Sequence, residues 1–534
     1  MKSCTRFVVW VVVALTLVSS MAQADTLKPN IIVIYTDDQG YGDSSYLNPE
    51  SKIKTPSIDR LATEGIAFTH GHSSESVCTP SRYSLLTGRY SWRTHLKTGV
   101  MKAEATGLIP DNRMTLASML RDNGYSTAMV GKWHLGMEFP GEFGQRDWSK
   151  PVEDMPLDKG FDYFYGIPAS LNYGVLAWFD GRHAKIPPTQ FGAKRDNERH
   201  VDYRIKPPYY QSVAELKTHT DRTPLEIAPD FIDNKALTRF TDKAIEWIDS
   251  KKQEAKDGSP FFVYLPYTSP HYPVAPLKEF WGKSEVGAYG DFMMETDYHV
   301  GRILDYLKEA GLDDNTMIVF TSDNGPENSW KERITEFGHD SSGIFKGGKR
   351  DIYEGGHRVP FFVRWPEGID NPGRDWDKPV GQVDLLATFS ELVNFPLPDD
   401  GGEDSQSFAS LLTNAKADYE RVPLVQSAYG RFSITEGDWK LIMPGDGIVN
   451  KEFPSRSIPA TELELYNLKQ DPAETNNVVK QHPKIVASLH NQLTEIVVSG
   501  RSTPGKPQAN DTGYWPELTW MTEEEYEAAH EQVQ

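Results

Sequence analysis

The chain has 534 residues, 38% of them hydrophobic and 25% charged, and a formal net charge of -20. That length supplies enough apolar material for one large α/β domain and a smaller one, in the composition of a soluble protein. The acidic surplus excludes a general nucleic-acid binder, which needs a basic face, but it allows a local cationic pocket for a small anion.

The first 24 residues read as an export signal. Lys2 and Arg6 precede an apolar run from Phe7 to Val18, and Ala22-Gln23-Ala24 forms a small-x-small cleavage site before Asp25. The run is short for a membrane span, and no later stretch approaches the ~20 apolar residues a span needs, so a periplasmic or secreted protein without a membrane anchor is expected. Cys4 precedes the run and does not sit where a lipid-anchor cysteine would. Removing residues 1–24 leaves Cys78 as the only cysteine. A lone cysteine in an exported chain is buried and inert, paired between chains, or chemically used.

Pro29 to Tyr35 is a continuous apolar run, as in a strand buried on both faces of a parallel sheet, and it ends in Asp37-Asp38. Sites in open α/β sheets form beyond the carboxyl ends of strands, and two adjacent carboxylates there repel unless a cation lies between them. Thr55-Pro56 starts a helix. Val77-Cys78-Thr79-Pro80-Ser81-Arg82 opens another, with Cys78 at the end where free N–H groups favour negative charge and Arg82 one turn further on. Met114 to Arg121 reads as a helix and Ser126 to Val130 as a strand running into Gly131-Lys132-Trp133-His134-Leu135-Gly136. Residues 168–222 show no pattern. Within them Asn172, Tyr173, Arg182 and His183 are candidate ligand contacts, with plain surface loop as the competing reading.

Leu237 to Ile248 is a predicted helix, and Pro260 to Leu265 a buried strand leading to His271. Tyr289 to Ala310 is a long helix closed by Gly311, and Met317 to Phe320 a strand followed by Asp323-Asn324-Gly325. Phe345 to Pro360 carries Lys346, Lys349, Arg350 and Arg358, and precedes a strand at Phe361 to Arg364 and a helix over Gln382 to Val393. Pro396 to Glu403 looks like a linker. Short antiparallel strands are predicted at Arg431–Ile434, Trp439–Met443 and Glu462–Leu468, then a closing helix from Pro483 to Val497. The tail from Gly500 is polar and Pro-rich, and disorder is expected there.

Cys78-Thr79-Pro80-Ser81-Arg82 followed by Leu86-Thr87-Gly88-Arg89, together with Gly-Lys-Trp-His-x-Gly and Tyr353-Glu354-Gly355-Gly356, resembles the signatures of the sulfatase family. The resemblance extends over most of residues 29–500. It implies an alkaline-phosphatase-like α/β fold: a large mixed, mostly parallel sheet sandwiched by helices, and a smaller C-terminal α+β subdomain with a short antiparallel sheet. The expected division is a signal peptide at 1–24, a catalytic domain at 25–395, a C-terminal subdomain at 396–500 and a polar tail at 501–534.

The resemblance also implies that Cys78 is converted by a maturation enzyme to formylglycine, whose hydrate is the nucleophile. It assigns Asp37, Asp38, Asp323 and Asn324 as metal ligands, completed by modified Cys78. Oxygen donors without histidine suit Ca²⁺, with Mg²⁺ possible, rather than zinc. Lys132, His271 and Lys349 are the implied sulfate-binding residues. Arg82 holds the hydrate, Asp323 accepts a proton, His271 protonates the leaving alcohol and His134 acts as a base. The expected reaction is release of sulfate from a sulfated carbohydrate such as ulvan, carrageenan or a glycosaminoglycan. The alternatives are a phosphodiesterase or phosphonate monoester hydrolase of the same superfamily, or a non-catalytic binder of sulfated glycans.

Overall fold

The computed structural model describes residues 28–194, 207–445, 447 and 460–533, so the export signal lies outside the described residues. The core is a ten-stranded sheet. Its centre is five neighbouring parallel strands, in spatial order Thr316–Ser322, Asn30–Asp37, Phe261–Pro270, Ser126–Lys132 and Tyr163–Ile167. Every residue of the first three is buried, as expected for strands covered on both faces. Ile31 to Tyr35 are fully buried between Phe262–Pro266 and Met317–Thr321.

The long helices Ala236–Lys256 and Gly287–Ala310 pack on one another, and both touch the strand Phe261–Pro270. They begin and end as expected to within a few residues, except that the first runs eight residues beyond Ile248 to Lys256. The strand expected to stop at Leu265 continues to Pro270. The continuation matters, because it carries the chain to His271.

The described residues of 168–222, patternless in sequence, hold short strands and one short helix, Val213–Lys217. Phe179–Asp180 and His183–Ala184 extend the main sheet, and Gln190–Ala193, Pro224–Ile227 and Val175–Leu176 make a separate three-stranded sheet. Strands of two to four residues are too short to show a period.

The C-terminal part holds a four-stranded antiparallel sheet of Leu424–Ala428, Arg431–Glu436, Trp439–Ile442 and Glu464–Asn467, packed by the helix Pro483–Val498. Two expectations fail here. The stretch read as a linker is anchored at its end: its last residue, Glu403, and Asp404 just after it are buried and bound to Arg89, Arg93 and Arg113 of the catalytic part. The tail beyond Gly500 is ordered: Trp515, Leu518 and Tyr526 join the second apolar core beside Trp92 and Phe432, and Glu523–Val533 is helical. With Met521 they make four buried apolar side chains over twelve residues, spaced by three, three and five, which matches neither a strand nor a helix period, and these are the ones that dock.

Candidate active site

Four neighbouring parallel strands end at one place. Register pairs Thr36 with Ser322 and Asp37 with Pro270, so Asp38, Asp323 and His271 follow directly at the sheet edge. Lys132 is the last residue of the next strand. Asp38 and His134 take left-handed backbone conformations, with φ of 66° and 64°, which turn the chain sharply as it leaves the strand.

Cys78 is the first residue of a wholly buried helix, Cys78–Thr87, closed by Gly88 in the left-handed region. Its Sγ lies 3.7 Å from Asp37 Oδ1. Arg82, one turn on, donates from Nε and Nη2 to Asp323 Oδ2 at 3.1 and 2.8 Å and stands 3.8 Å from Asp37 Oδ1. The ring of Tyr35 lies 5.3 Å beneath its guanidinium.

The carboxylates are held by cations. Lys132 Nζ reaches Asp37 Oδ2 at 2.6 Å, and Lys349 Nζ reaches Asp38 Oδ1 at 2.7 Å. Asn324 Nδ2 donates to Asp38 Oδ1 at 2.7 Å, and the Asp38 backbone N–H donates to Asp323 Oδ1 at 3.1 Å. Every one of these side chains is at most 4% exposed. His271 Nε2 lies 3.8 Å from Asp38 Oδ2, and its Nδ1–H donates to the Tyr272 carbonyl.

The site's electrostatics follow from burial against neighbouring charge. Burial raises the pKa of Asp38, but Lys349 outweighs it and holds the carboxyl well below its usual range. Burial and the adjacent Asp37 push Asp323 up to about 6. Burial pushes the Cys78 thiol up to about 12, with Lys132 opposing, so the unmodified thiol is protonated and a poor nucleophile at neutral pH. Burial and Lys349 push His271 down to about 3. Its Nε2 therefore carries a lone pair in this state.

His134 is joined to the group through Thr79, whose hydroxyl donates to the His134 carbonyl at 3.0 Å. Its Nε2–H donates to the Met101 carbonyl at 3.1 Å, which leaves a lone pair on Nδ1, a buried atom without a partner among the described residues. That tautomer is a proton acceptor. Burial and Lys132 keep the ring neutral by holding its pKa well below the ordinary value.

A divalent cation fits these residues. Ligand atoms of Asp37, Asp38, Cys78 and His271 lie within 4.8 Å of one another, and the Oδ1 of Asn324 is a buried acceptor with no partner among the described residues. Carboxylate and amide oxygens are the donors that Ca²⁺ and Mg²⁺ take. His271 sits inside this group, whereas the sequence placed it only on the substrate side.

Other candidates separate. Asn172 and Tyr173 approach the site, the Tyr173 ring lying 5.1 Å from that of His134. Arg182 instead pairs with Asp158 over another cavity, and His183 is exposed on its hairpin. Lys346 lies over the Tyr353 ring and donates to the Glu474 carbonyl of the C-terminal part, and Arg358 bonds Glu354 and the Thr69 carbonyl. One pair had no sequence signal: Glu327 binds Arg350 through both carboxylate oxygens and stands 3.7 Å from Lys349.

Strand ends supply three carboxylates, Lys132 and a histidine, the buried helix supplies Cys78 and Arg82, and a loop supplies Lys349, a site built for hydrolysis of an anionic ester. Similarity to known proteins narrows that class. The sulfatase family model matches residues 29–395, and the model described as N-sulphoglucosamine sulphohydrolase, C-terminal, matches 342–499. An N-acetylgalactosamine-6-O-sulfatase of Bacteroides thetaiotaomicron is 33% identical over 493 residues, covering 88% of this chain and 93% of that protein. Human arylsulfatase A is 30% identical over 90% of both chains. A solved structure reported under the metabolism of multiple glycosaminoglycans by Bacteroides thetaiotaomicron superimposes with TM-score 0.76 at 32% identity, over 88% of this chain and 99% of that one. The chain belongs to the sulfatase family and is a sulfuric ester hydrolase.

Proposed function

We propose that the protein is an exported sulfatase that removes sulfate from a sulfated carbohydrate, using a Ca²⁺ site and a formylglycine made from Cys78. The carrying observation is that Cys78 lies 3.7 Å from Asp37, among three carboxylates and two buried lysines, with its thiol pushed up to about 12. A thiol so placed is useless as it stands, and well placed once replaced. The substrate class is supported by the carbohydrate sulfatase among the relatives.

The residues divide the work. Asp37, Asp38, Asp323 and Asn324 would hold the cation, which when bound lowers the pKa of a coordinated hydroxyl and withdraws charge from the ester. The formylglycine hydrate would supply the nucleophilic oxygen at position 78 and a second hydroxyl through which sulfate is expelled. Arg82, fixed by Asp323 and Tyr35, orients residue 78. Lys132 and Lys349 give up part of their hold on Asp37 and Asp38 to neutralise the sulfate oxygens as charge develops. His271 protonates the leaving oxygen at Nε2, the negative ester beside it favouring the protonated ring. His134 Nδ1 takes a proton from the hydroxyl at position 78, and Asp323 is the further acceptor.

The test uses protein co-produced with a formylglycine-generating enzyme. Mass analysis of the Cys78 peptide should show the aldehyde, and sulfate should be released from sulfated saccharides faster than phosphate or phosphonate from matched esters. Cys78→Ala should abolish turnover. Normal activity in that variant, or a preference for phosphonate esters, would overturn the reading.

A further inference from the structure

A second group of metal-binding side chains lies outside the catalytic one. His70, His72 and Glu354 each offer one ligand atom, and the three atoms lie within 4.8 Å of one another. All three residues are at most 5% exposed. Backbone pairing sets the group in place. The Ser73 N–H donates to the His357 carbonyl at 2.9 Å and the Val359 N–H to the Gly71 carbonyl at 3.1 Å, which ties the two histidines to the short helix Glu354–His357. Gly71 lets the chain press on Phe361, whose Cβ would stand 2.5 Å from any Cβ added there. Residues two apart in extended chain share a face, so His70 and His72 point the other way together, their ring centres 4.8 Å apart.

The partners fix the tautomers. The Ile352 carbonyl, 3.1 Å from His357 Nε2, can only accept, so that nitrogen carries the proton. His357 Nδ1 is then the acceptor, and His72 Nδ1–H donates to it at 2.9 Å. Lys440 Nζ, 3.1 Å from His357 Nε2, donates instead to Glu354 Oε1 and Glu474 Oε1 at 3.0 and 2.9 Å. The Asp377 backbone bonds the His70 ring in the sense that favours its protonated form, so a carbonyl accepts there. The Nε2 atoms of His70 and His72 are buried and have no partner among the described residues, so the N–H of each ring is at Nδ1 and each Nε2 keeps a lone pair.

Both lone pairs meet one oxygen. Glu354 Oε2 is 3.8 Å from His70 Nε2 and 3.9 Å from His72 Nε2. Burial raises the Glu354 carboxyl, but Lys440 outweighs it and holds the group well below its usual range, while burial keeps both rings neutral. Arg358 Nη1 donates to the same oxygen at 3.2 Å, and a carboxylate oxygen accepts more than one bond. Three acceptors thus converge where water is scarce, an arrangement that costs free energy unless a cation bridges them.

We propose that His70, His72 and Glu354 bind Zn²⁺ through Nε2, Nε2 and Oε2, with a water as fourth ligand. Two neutral imidazoles and a carboxylate are a zinc donor set, unlike the oxygen donors of the catalytic centre. The separations exceed by about 0.4–0.5 Å the ~3.4 Å edge of a tetrahedron with bonds of ~2.0–2.1 Å, which small ring rotations close. His357 and the Asp377 carbonyl orient the two rings from behind. The ion clamps the segment ahead of Cys78 to the one that follows Lys349 and takes no part in bond breaking.

The test uses full-length protein produced in medium with added Zn²⁺ and dialysed against EDTA while folded, since a cation so enclosed leaves only when the chain opens. The protein is then unfolded in guanidinium and the released metal counted by mass spectrometry. About one Zn²⁺ per chain is expected from wild type, and His72→Gln should lower that content at least about tenfold. Wild type without zinc, or the variant with a full complement, would overturn the proposal. A cooperative melt marks the variant as folded. Without one, X-ray absorption at the zinc edge of wild type decides: two imidazoles and no sulfur are expected. A single imidazole, or a sulfur, would place an adventitious ion at the catalytic centre, whose cluster holds one histidine, His271, beside Cys78, and would sink the proposal.

Discussion

Lys349 Nζ lies 2.7 Å from Asp38 Oδ1, although 311 residues separate the two, and the pair is buried at the end of the central strand. The same lysine is expected to bind sulfate, so in the resting site it compensates a carboxylate that a cation also claims. Lys349→Ala should therefore do two separable things. It should lower kcat/KM by at least about 100-fold, as for loss of an electrostatic stabiliser. It should also destabilise the metal-free protein by about 3–5 kcal/mol, the usual result of stranding a buried charge. Added Ca²⁺ should recover much of the stability and little of the activity, as thermal melts and steady-state rates would show.

Chelation should act on the same balance. With the cation removed, Asp37, Asp38 and Asp323 remain close together, their repulsion opposed chiefly by Lys132, Lys349 and Arg82. Treatment with EDTA should abolish activity and lower the melting temperature, and Ca²⁺ should restore both. Asp38→Asn should weaken Ca²⁺ binding at least tenfold by calorimetry.

Arg82 uses two nitrogens on one oxygen of Asp323. Lysine has no such fork, so Arg82→Lys keeps the charge and loses the geometry. Turnover should slow by about tenfold or more, with little change in melting temperature. A variant as fast as wild type would remove Arg82 from the orienting role.

Away from the site, Glu295 is buried in the helix Gly287–Ala310 and accepts from the Leu277 backbone N–H at 2.8 Å. Burial pushes its carboxyl up to about 8 from an ordinary 4.5. The folded state then keeps a proton that the unfolded chain has already lost between those two values. The contribution of Glu295 to stability therefore falls as pH rises from 4.5 towards 8, and levels off above. The slope is at most about 1.4 kcal/mol for each step of one in pH. Glu295→Gln should flatten this slope, so its advantage over wild type should grow with pH in melts taken across that range.

The tail makes a structural prediction. Trp515 is 4% exposed and packs on Trp92 and Phe432, and Arg89 binds Asp511 at 2.9 Å and the Ala509 carbonyl. Trp515→Ala should cost about 3–5 kcal/mol, as for other buried tryptophans. Truncation after Gly500 should expose the second core and yield poorly soluble protein. Because Arg89 ends the Cys78 signature, both changes should also lower activity.

Much of the site was legible in sequence because its parts are local. Asp37-Asp38, Cys78 with Arg82, Lys132 with His134, and Asp323-Asn324 each sit within a few residues of a strand or helix end, and strand ends are recognisable from an apolar run that stops. The family resemblance supplied the roles. What the chain order could not carry is which distant group compensates which. Lys132 on Asp37, Lys349 on Asp38 and Glu327 on Arg350 depend on strand register and loop paths, and these are set by packing across the whole sheet.

The sequence by itself determined the reaction class, and it supplied Cys78 and the oxygen-donor residues that the proposed mechanism uses, since short fixed motifs at strand ends are local. Tertiary structure alone decided the histidine cluster at Glu354, the docking of residues 500–533 and the charge pairs at the centre. Those depend on contacts between segments hundreds of residues apart, whose side chains are too sparse or too irregularly spaced to leave a periodic trace.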